Sequence, residues 1–169
     1  QWGRQNGATR LDDGAIDRAM QASLAPFEIG DQGENPYKVQ ADLQETMQAL
    51  VGIVRQESEM REALQRIEQF KQRAARVGVS GHREYHAGWH TAIDLRNLLV
   101  VSEAIARSAI ERKESRGGHF REDYPDKTTE FSTINVMVNQ ASGGAMNVSR
   151  VPIAPIPDHL KEVIEEQKS

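Results

Sequence analysis

The chain has 169 residues, of which 38% are hydrophobic and 27% are charged, and its formal net charge is −4. This is the size and composition of one helical domain with an appendage, and the lack of a basic block gives no electrostatic case for nucleic acid. No apolar run reaches the roughly 18–20 residues that span a bilayer. The absence of cysteine excludes disulfides and cysteine-bound iron–sulfur clusters in this chain.

The first segment, residues 1–34, is predicted to be a connector from a domain that this sequence lacks, because it is polar and begins with Gln1 rather than Met. A short helix is predicted over Asp17 to Phe27 and is expected to end near Pro26. A loop follows over residues 28–36, which contain glycines, acids and a proline.

Residues 35–125 are predicted to form an antiparallel three-helix bundle of the spectrin-repeat type. The first helix starts at Asn35-Pro36 and is expected to run to about Arg55. A break over Gln56 to Ser58 follows, with Ser58 as a possible cap. The second helix has apolar residues at helical spacing, and the third starts at Trp89. The apolar stripe of the second helix consists of Met60, Leu64, Ile67, Phe70, Ala74 and Val77.

Residues 126–169 are predicted to form a β-hairpin and an extended, proline-rich tail. Phe131 to Val138 and Asn147 to Val151 are rich in β-branched residues and flank a glycine-containing turn. Three prolines then favour an extended linker. Asp158 to Gln167 is either a short charged helix or a frayed tail.

The most informative stretch of the chain runs from Trp89 to Pro125. Its first part is the most apolar run in the sequence, and Ser115-Arg116-Gly117-Gly118-His119 is predicted to end that helix. The segment that follows mixes both charge signs around two aromatic residues. It reads either as a solvated turn or as a fixed loop against another domain.

This segment, read from Glu114 to Pro125, is ESRGGHFREDYP. It closely resembles the ESRGAHxREDYP signature of the flavoprotein subunit of succinate dehydrogenase and fumarate reductase. The preceding Leu95-Arg96-Asn97-Leu98-Leu99 is also similar to that family. Gly118 departs from the pattern, since Ala is common there. The resemblance covers about residues 1–151 and is strongest over 89–125.

The resemblance implies that the chain is the C-terminal helical domain of a longer flavoprotein. In such a parent, upstream domains bind FAD and substrate, and electrons pass between FAD and an iron–sulfur subunit and a membrane quinone site. The chain itself would then serve as a scaffold and an interface. It is expected to contain no catalytic, cofactor-binding or metal-binding residue and to be inactive alone. The implied location is cytoplasmic, peripheral to the inner membrane through partner subunits.

Five residues of the signature are candidates for an interdomain clamp. The charge density of the segment is hard to explain in a self-contained bundle, since a buried charge needs a partner. We therefore expect ion pairs among these side chains and to the upstream flavin domain. The candidates are Arg116, His119, Arg121, Glu122 and Asp123.

Other chemistry is less well supported by the residues. His82, His86 and His90 are four residues apart, but flanking glycines favour a loop over a metal-binding helix. Ser115, His119 and Asp123 lack the nucleophile elbow of a hydrolase. His119 with Arg121 has the residue types of a dicarboxylate site.

Two alternative functions remain open from the sequence. In the first, the parent is an L-aspartate oxidase. Such proteins share the ESRG part of the signature, but they usually lack the Arg121-Glu122-Asp123 run. In the second, the chain is a stand-alone helical interaction module without flavin. An open reading frame that continues upstream would exclude the second.

Overall fold

A computed structural model describes residues 12–166, and helices account for most of its regular structure. The described elements are α1 (Asp13–Ile29), α2 (Pro36–Leu50), β1 (Val54–Arg55), α3 (Glu57–Ala74), α4 (Ala87–Glu111), β2 (Phe120–Arg121), α5 (Thr129–Ser132), β3 (Ile134–Gln140), β4 (Met146–Pro152) and α6 (Asp158–Glu166). The prediction of a mainly α chain with a β-hairpin is confirmed. The packing of a three-helix bundle and the domain boundaries at residues 34 and 125 stay predictions.

None of the helices in residues 12–166 is long and apolar enough to cross a membrane. The predicted polar start of the chain lies mostly outside the described residues.

The chain divides into two compact units. The first contains the residues up to Ala49 and Glu62–Glu103. Its buried apolar side chains lie on α2, α3 and α4 and on the segment that follows α3, and ion pairs connect these helices. Arg73 of α3 donates to Asp42 of α2 at 2.8 Å, and Lys71 of α3 donates to Glu103 of α4 at 2.7 Å. The buried apolar residues of this unit are Val39, Leu43, Ala63, Ile67, Phe70, Val77, Val79, Ala92, Leu95 and Leu99.

Two glycines in this unit allow the segments before α2 and after α3 to touch. A Cβ on Gly78 would lie 2.0 Å from the carbonyl oxygen of Gly30, and a Cβ on Gly33 would lie 2.2 Å from the backbone nitrogen of Gly78. Neither distance is compatible with a side chain. Backbone bonds between Glu34 and residues 76–78 hold the crossing together.

The second unit contains Leu50–Arg61 and the residues from Ala104 onward. Its sheets are a parallel ladder of two residue pairs, Val54↔Phe120 and Arg55↔Arg121, and the antiparallel hairpin of β3 and β4. The predicted hairpin is therefore present, although Phe131 lies before it, buried in α5. The C-terminal segment predicted as a charged helix or frayed tail is the helix α6.

The predicted end of α1 at Pro26 is wrong, since the helix continues through this residue to Ile29. A proline inside a helix removes one backbone bond. Here Pro26 is buried, and its carbonyl accepts from the backbone N–H groups of Gly30 and of Val79, the latter at 2.9 Å. The bond from Val79 ties α1 to the segment after α3, and Gly30, at φ 61°, ends the helix.

The predicted end of α2 near Arg55 is also wrong. The helix ends at Leu50, and Val54 and Arg55 form a strand instead. The reason lies far along the chain, because the backbone of residues 53–55 pairs with that of residues 120–122. The sequence of the helix itself carries no sign of this pairing.

Candidate functional site

The residues that resemble the family signature form one loop, here called the signature loop, residues 114–125. It follows the C-terminal end of α4 and contains β2. Three of its side chains are buried, and they are Glu114, Ser115 and Arg121. Charged groups are seldom fully buried without partners, so their contacts define what the loop does.

Arg121 and Glu114 are the two charged side chains of the loop with an exposure of 0%, and Arg121 is the larger of them. Its Nη1 donates to the carbonyl oxygens of Ala109 and Ile110 at 2.9 and 3.2 Å. These carbonyls belong to the last turn of α4, which has no intrahelical donors for them. A cation at this end of a helix also interacts favourably with the helix dipole. Arg121 therefore caps α4.

Asp123 pairs with Arg121 on the opposite side of the guanidinium. Its two carboxylate oxygens accept from Nε and Nη2 of Arg121, both at 2.7 Å. One of them also accepts from the backbone N–H of Glu57, the first residue of α3, at 3.1 Å. The prediction of Ser58 as the cap of this helix is wrong, because Asp123 caps it from a distant part of the sequence. The Arg121 bond lowers the pKa of Asp123.

Glu114 connects the start of the loop to the segment that returns after it. Its carboxylate accepts from Arg112 at 2.6 Å, from Arg116 at 2.8 and 3.0 Å, and from the backbone N–H of Thr128 at 2.9 Å. The hydrogen bonds from Arg116 lower the pKa of Glu114 to about 2. Glu114 is thus an anion with four donors and no exposed surface.

His119 is held between two arginines in a single tautomer. Its Nδ1 lies 2.6 Å from Nη1 of Arg55, which only donates, so Nδ1 accepts. Its Nε2 then carries the hydrogen and donates to the carbonyl oxygen of Arg112 at 2.9 Å. Burial lowers the pKa of His119, and the charge of Arg55 lowers it further.

Arg55 extends the same network to the segment that follows α2. Its Nε donates to the carbonyl oxygens of Gly52 at 2.6 Å and Val51 at 3.3 Å. Through Arg55, Asp123 and Arg121, the loop bonds to the exit of α2, the start of α3 and the end of α4. The geometry is that of a scaffold joining helix ends.

The five predicted clamp residues occupy different positions in this arrangement. Arg121 and Asp123 pair with each other, Arg116 pairs with Glu114, and His119 pairs with Arg55. Glu122 is exposed and accepts from the side chain of Gln56. A contact of these residues with an upstream domain stays a prediction.

Two further buried or half-buried residues of the site were missed by the sequence analysis. Glu114 lies in the signature and could have been found there, since it stands between Arg112 and Arg116. Arg55 could not, because it is 64 residues away from His119 in the sequence.

The structure shows which groups bond to Ser115 and Arg121, the residues of the hydrolase and dicarboxylate-site hypotheses. The hydroxyl of Ser115 accepts from the backbone N–H of Arg121 at 2.8 Å and donates to the carbonyl oxygen of Tyr124 at 2.9 Å. It is therefore occupied by the backbone of the loop. Arg121 is equally occupied, since each of its three nitrogens is bonded within the chain.

His86, from the histidine series, caps α4. Its Nδ1 accepts from the backbone N–H of Trp89 at 3.0 Å, and its Nε2 lies 2.9 Å from the carbonyl oxygen of Ser80. Both ring nitrogens are used in these contacts. The loop predicted for this segment is present between residues 78 and 86.

Comparison with known proteins points to one group. The profile of the family described as fumarate reductase flavoprotein C-term matches residues 40–164. The fumarate reductase flavoprotein subunit of Mycobacterium tuberculosis is 30% identical over 125 residues, which are 73% of this chain and 21% of that protein. The L-aspartate oxidase of Acinetobacter baylyi is 42% identical over 107 residues, 59% of this chain and 18% of that protein.

Among solved structures, Mycobacterium smegmatis Sdh1 in complex with UQ1 matches with a TM-score of 0.85 and 37% identity. The match covers 96% of this chain and 28% of that chain. The chain spans about a fifth of the length of the curated relatives it matches.

Replacing Glu114 by Gln tests the buried carboxylate. The Glu114→Gln variant keeps the shape but removes the charge that two arginines face, and we expect it to lower the free energy of unfolding by about 2–4 kcal/mol. The matched control is Glu62→Gln, which removes an exposed pair with Arg66 and should cost about 0.5 kcal/mol or less. Urea denaturation measures both, and equal effects would contradict the assigned role.

The pH dependence of stability tests His119. In the folded chain its pKa is lowered from 6.5, so the unfolded chain binds more protons below that pH. The contribution of neutral His119 to the free energy of unfolding is fully present above pH 6.5. It is lost as the pH falls through the lowered pKa of the folded chain, by up to about 1.4 kcal/mol per pH unit. We expect His119→Gln to flatten the dependence of unfolding free energy between pH 7 and 5.

The control for this measurement is His159→Gln, in the exposed part of α6. It should leave the slope unchanged. A His119→Gln variant with the slope of the unsubstituted protein would show that the ring is not held neutral.

Proposed function

Because the chain belongs to the family of C-terminal domains of fumarate reductase and succinate dehydrogenase flavoproteins, we propose that its parent polypeptide interconverts succinate and fumarate with FAD. The observation that carries the proposal is the match to Mycobacterium smegmatis Sdh1, with a TM-score of 0.85 and 37% identity over 96% of this chain. The ESRGGHFREDYP sequence of the signature loop supports it.

In this proposal the parent passes electrons between FAD and an iron–sulfur subunit that serves a membrane quinone site. FAD and substrate are bound by upstream domains, and the parent lies at the cytoplasmic face of the inner membrane through its partner subunits.

The chain itself supplies scaffold and interfaces and is inactive alone. The contacts of the signature loop support this role, because its buried polar side chains bond to helix ends and to each other. Arg121, the side chain best suited to a carboxylate ligand, has no exposed surface. Such a loop positions helices and does not offer free groups to a substrate.

A second candidate is an L-aspartate oxidase. It is favoured by the 42% identity to the Acinetobacter baylyi protein, a higher identity over a shorter stretch than that of the mycobacterial fumarate reductase. The Arg121-Glu122-Asp123 run favours the first candidate, as described above. The two reactions use different substrates, so an assay separates them.

The test uses the full parent polypeptide, purified with its flavin. We expect oxidation of succinate with an artificial electron acceptor and no turnover of L-aspartate. Succinate dehydrogenation absent while L-aspartate is oxidised would replace the first candidate by the second. Turnover of neither, in a protein that retains FAD, would overturn both.

The proposed interdomain clamp has its own test at Glu122, an exposed charge among the five candidates. In the full parent, Glu122→Lys should weaken the contact with the flavin domain because it reverses a charge there. We expect faster loss of FAD on dilution, measured by flavin fluorescence. Glu68→Lys, at an exposed position of α3, is the control, and equal FAD retention in the two variants would remove Glu122 from the clamp.

A further inference from the structure

Three large apolar side chains stand exposed beside the signature loop. Ile53, Val54 and Phe120 have exposures of 70%, 52% and 41%. The ladder of β1 and β2 makes them neighbours, because Val54 is the register partner of Phe120 and the carbonyl of Ile53 accepts from the N–H of Phe120 at 3.1 Å. These three residues are called the apolar edge below.

The apolar edge is held rigidly from behind. Phe120 lies between His119 and Arg121, whose side chains are fixed by the bonds described above. The N–H of Glu122 donates to the carbonyl of Arg55 at 3.0 Å, which closes the ladder on its far side. An exposed apolar group on a fixed backbone loses little conformational entropy on binding, which favours its use as a contact.

A glycine beside this edge has no explanation within the chain. Gly117 has a φ of 60°, which a turn requires, whereas Gly118 has no such φ. A Cβ at Gly118 would meet no atom within 4 Å in the described chain. The tip of the loop is therefore open, and the lack of a side chain at Gly118 leaves room for another backbone to approach.

The buried charged groups of the loop do not provide this contact surface. Glu114 and Arg121 have no exposure, and their partners lie inside the chain. The loop presents outward the apolar edge, the open tip at Gly118 and the exposed residues Glu122 and Asp123. A partner that fits is an apolar surface with a closely approaching backbone.

We propose that the apolar edge, with Gly118, is the surface on which the flavin-binding portion of the same polypeptide docks. The inference rests on the proposed function, in which this chain is one part of a longer flavoprotein. The relatives support such an occupant, since the matched region is 21% of the mycobacterial fumarate reductase subunit and 28% of the Sdh1 chain. Most of such a polypeptide lies outside this sequence and is available to cover the edge.

The first test is hydroxyl-radical footprinting of the full parent polypeptide, isolated as a monomer by sedimentation. Modification of Phe120 and Ile53 is compared between native protein and protein in urea, with the fully exposed Tyr85 as reference. We expect native modification of Phe120 to fall about tenfold, because the centre of a docked interface is desolvated. Phe120 is only 41% exposed within this chain, which by itself lowers its modification. A fall in modification no larger than this partial exposure explains would overturn the proposal.

The same measurement separates other occupants. Protection that appears only at concentrations where the polypeptide dimerises would assign the edge to a second copy. Protection that appears only with other subunits bound would assign it to one of them. Either result overturns docking of the same polypeptide.

The second test is Gly118→Gln in the full parent, with Gly143→Gln as the matched control. Both positions have open space for a side chain and neither has a positive φ, so the chain itself tolerates both. Gly118→Gln should restore modification of Phe120 to the level of an exposed ring, and Gly143→Gln should not. Unchanged protection in Gly118→Gln would show that nothing approaches the tip.

These outcomes are distinct from those of the proposed function. A protein that oxidises succinate while Phe120 is freely modified keeps its function and loses this docking surface. A protein without succinate turnover in which Phe120 is protected keeps the docking surface and loses the function.

Discussion

The second unit depends on a guanidinium group that has no contact with solvent. Moving the charge of Arg121 out of water is costly, and it is compensated only if every donor is bonded and a counter-ion is near. Each of the three nitrogens is bonded, by two carbonyls at the end of α4 and by the carboxylate of Asp123, which is also the counter-ion. Because Asp123 also accepts from the start of α3, one ion pair satisfies helix termini of opposite polarity. A cation meets a carboxyl end and an anion meets an amino end, as the helix dipoles favour.

This arrangement explains how a segment dense in charge is accommodated within the chain. Each buried charge of the signature loop has its partner on the chain, so the charges specify how the loop returns across the helix ends. The carboxylate of Glu114, at the start of the loop, accepts from the backbone N–H of Thr128. His119 and Arg55 bond to each other and so connect the two sides of the ladder of β1 and β2. The outward side of the same loop carries the apolar edge beside the exposed charges of Glu122 and Asp123. A loop of this construction separates two tasks, with polar contacts that fix its shape and an apolar surface left for association.

The local sequence pattern was enough to predict those helices and strands that are determined by neighbouring residues. The stripe of α3, the apolar run of α4 and the β-branched hairpin were all read from spacing, because burial of one face imposes that spacing. The errors fall where a distant residue intervenes. The end of α2 is set by pairing with residues 120–122, and the start of α3 is capped by Asp123 and not by Ser58. The signature identified the loop as important, but its resemblance could not show that Arg121 faces the end of α4 or that Arg55 holds His119.

The ladder between β1 and β2 also bears on how the protein folds. Arg55 and His119 are 64 residues apart, and closing a loop of that length costs about 4 kcal/mol of chain entropy. The helices between them form from neighbouring residues and need no such closure. Contacts this distant in sequence slow folding, so the ladder and its ion pairs are expected to assemble after the helices. The region that joins the helix ends then forms after the helices, and during synthesis it stays open until residue 123 is available.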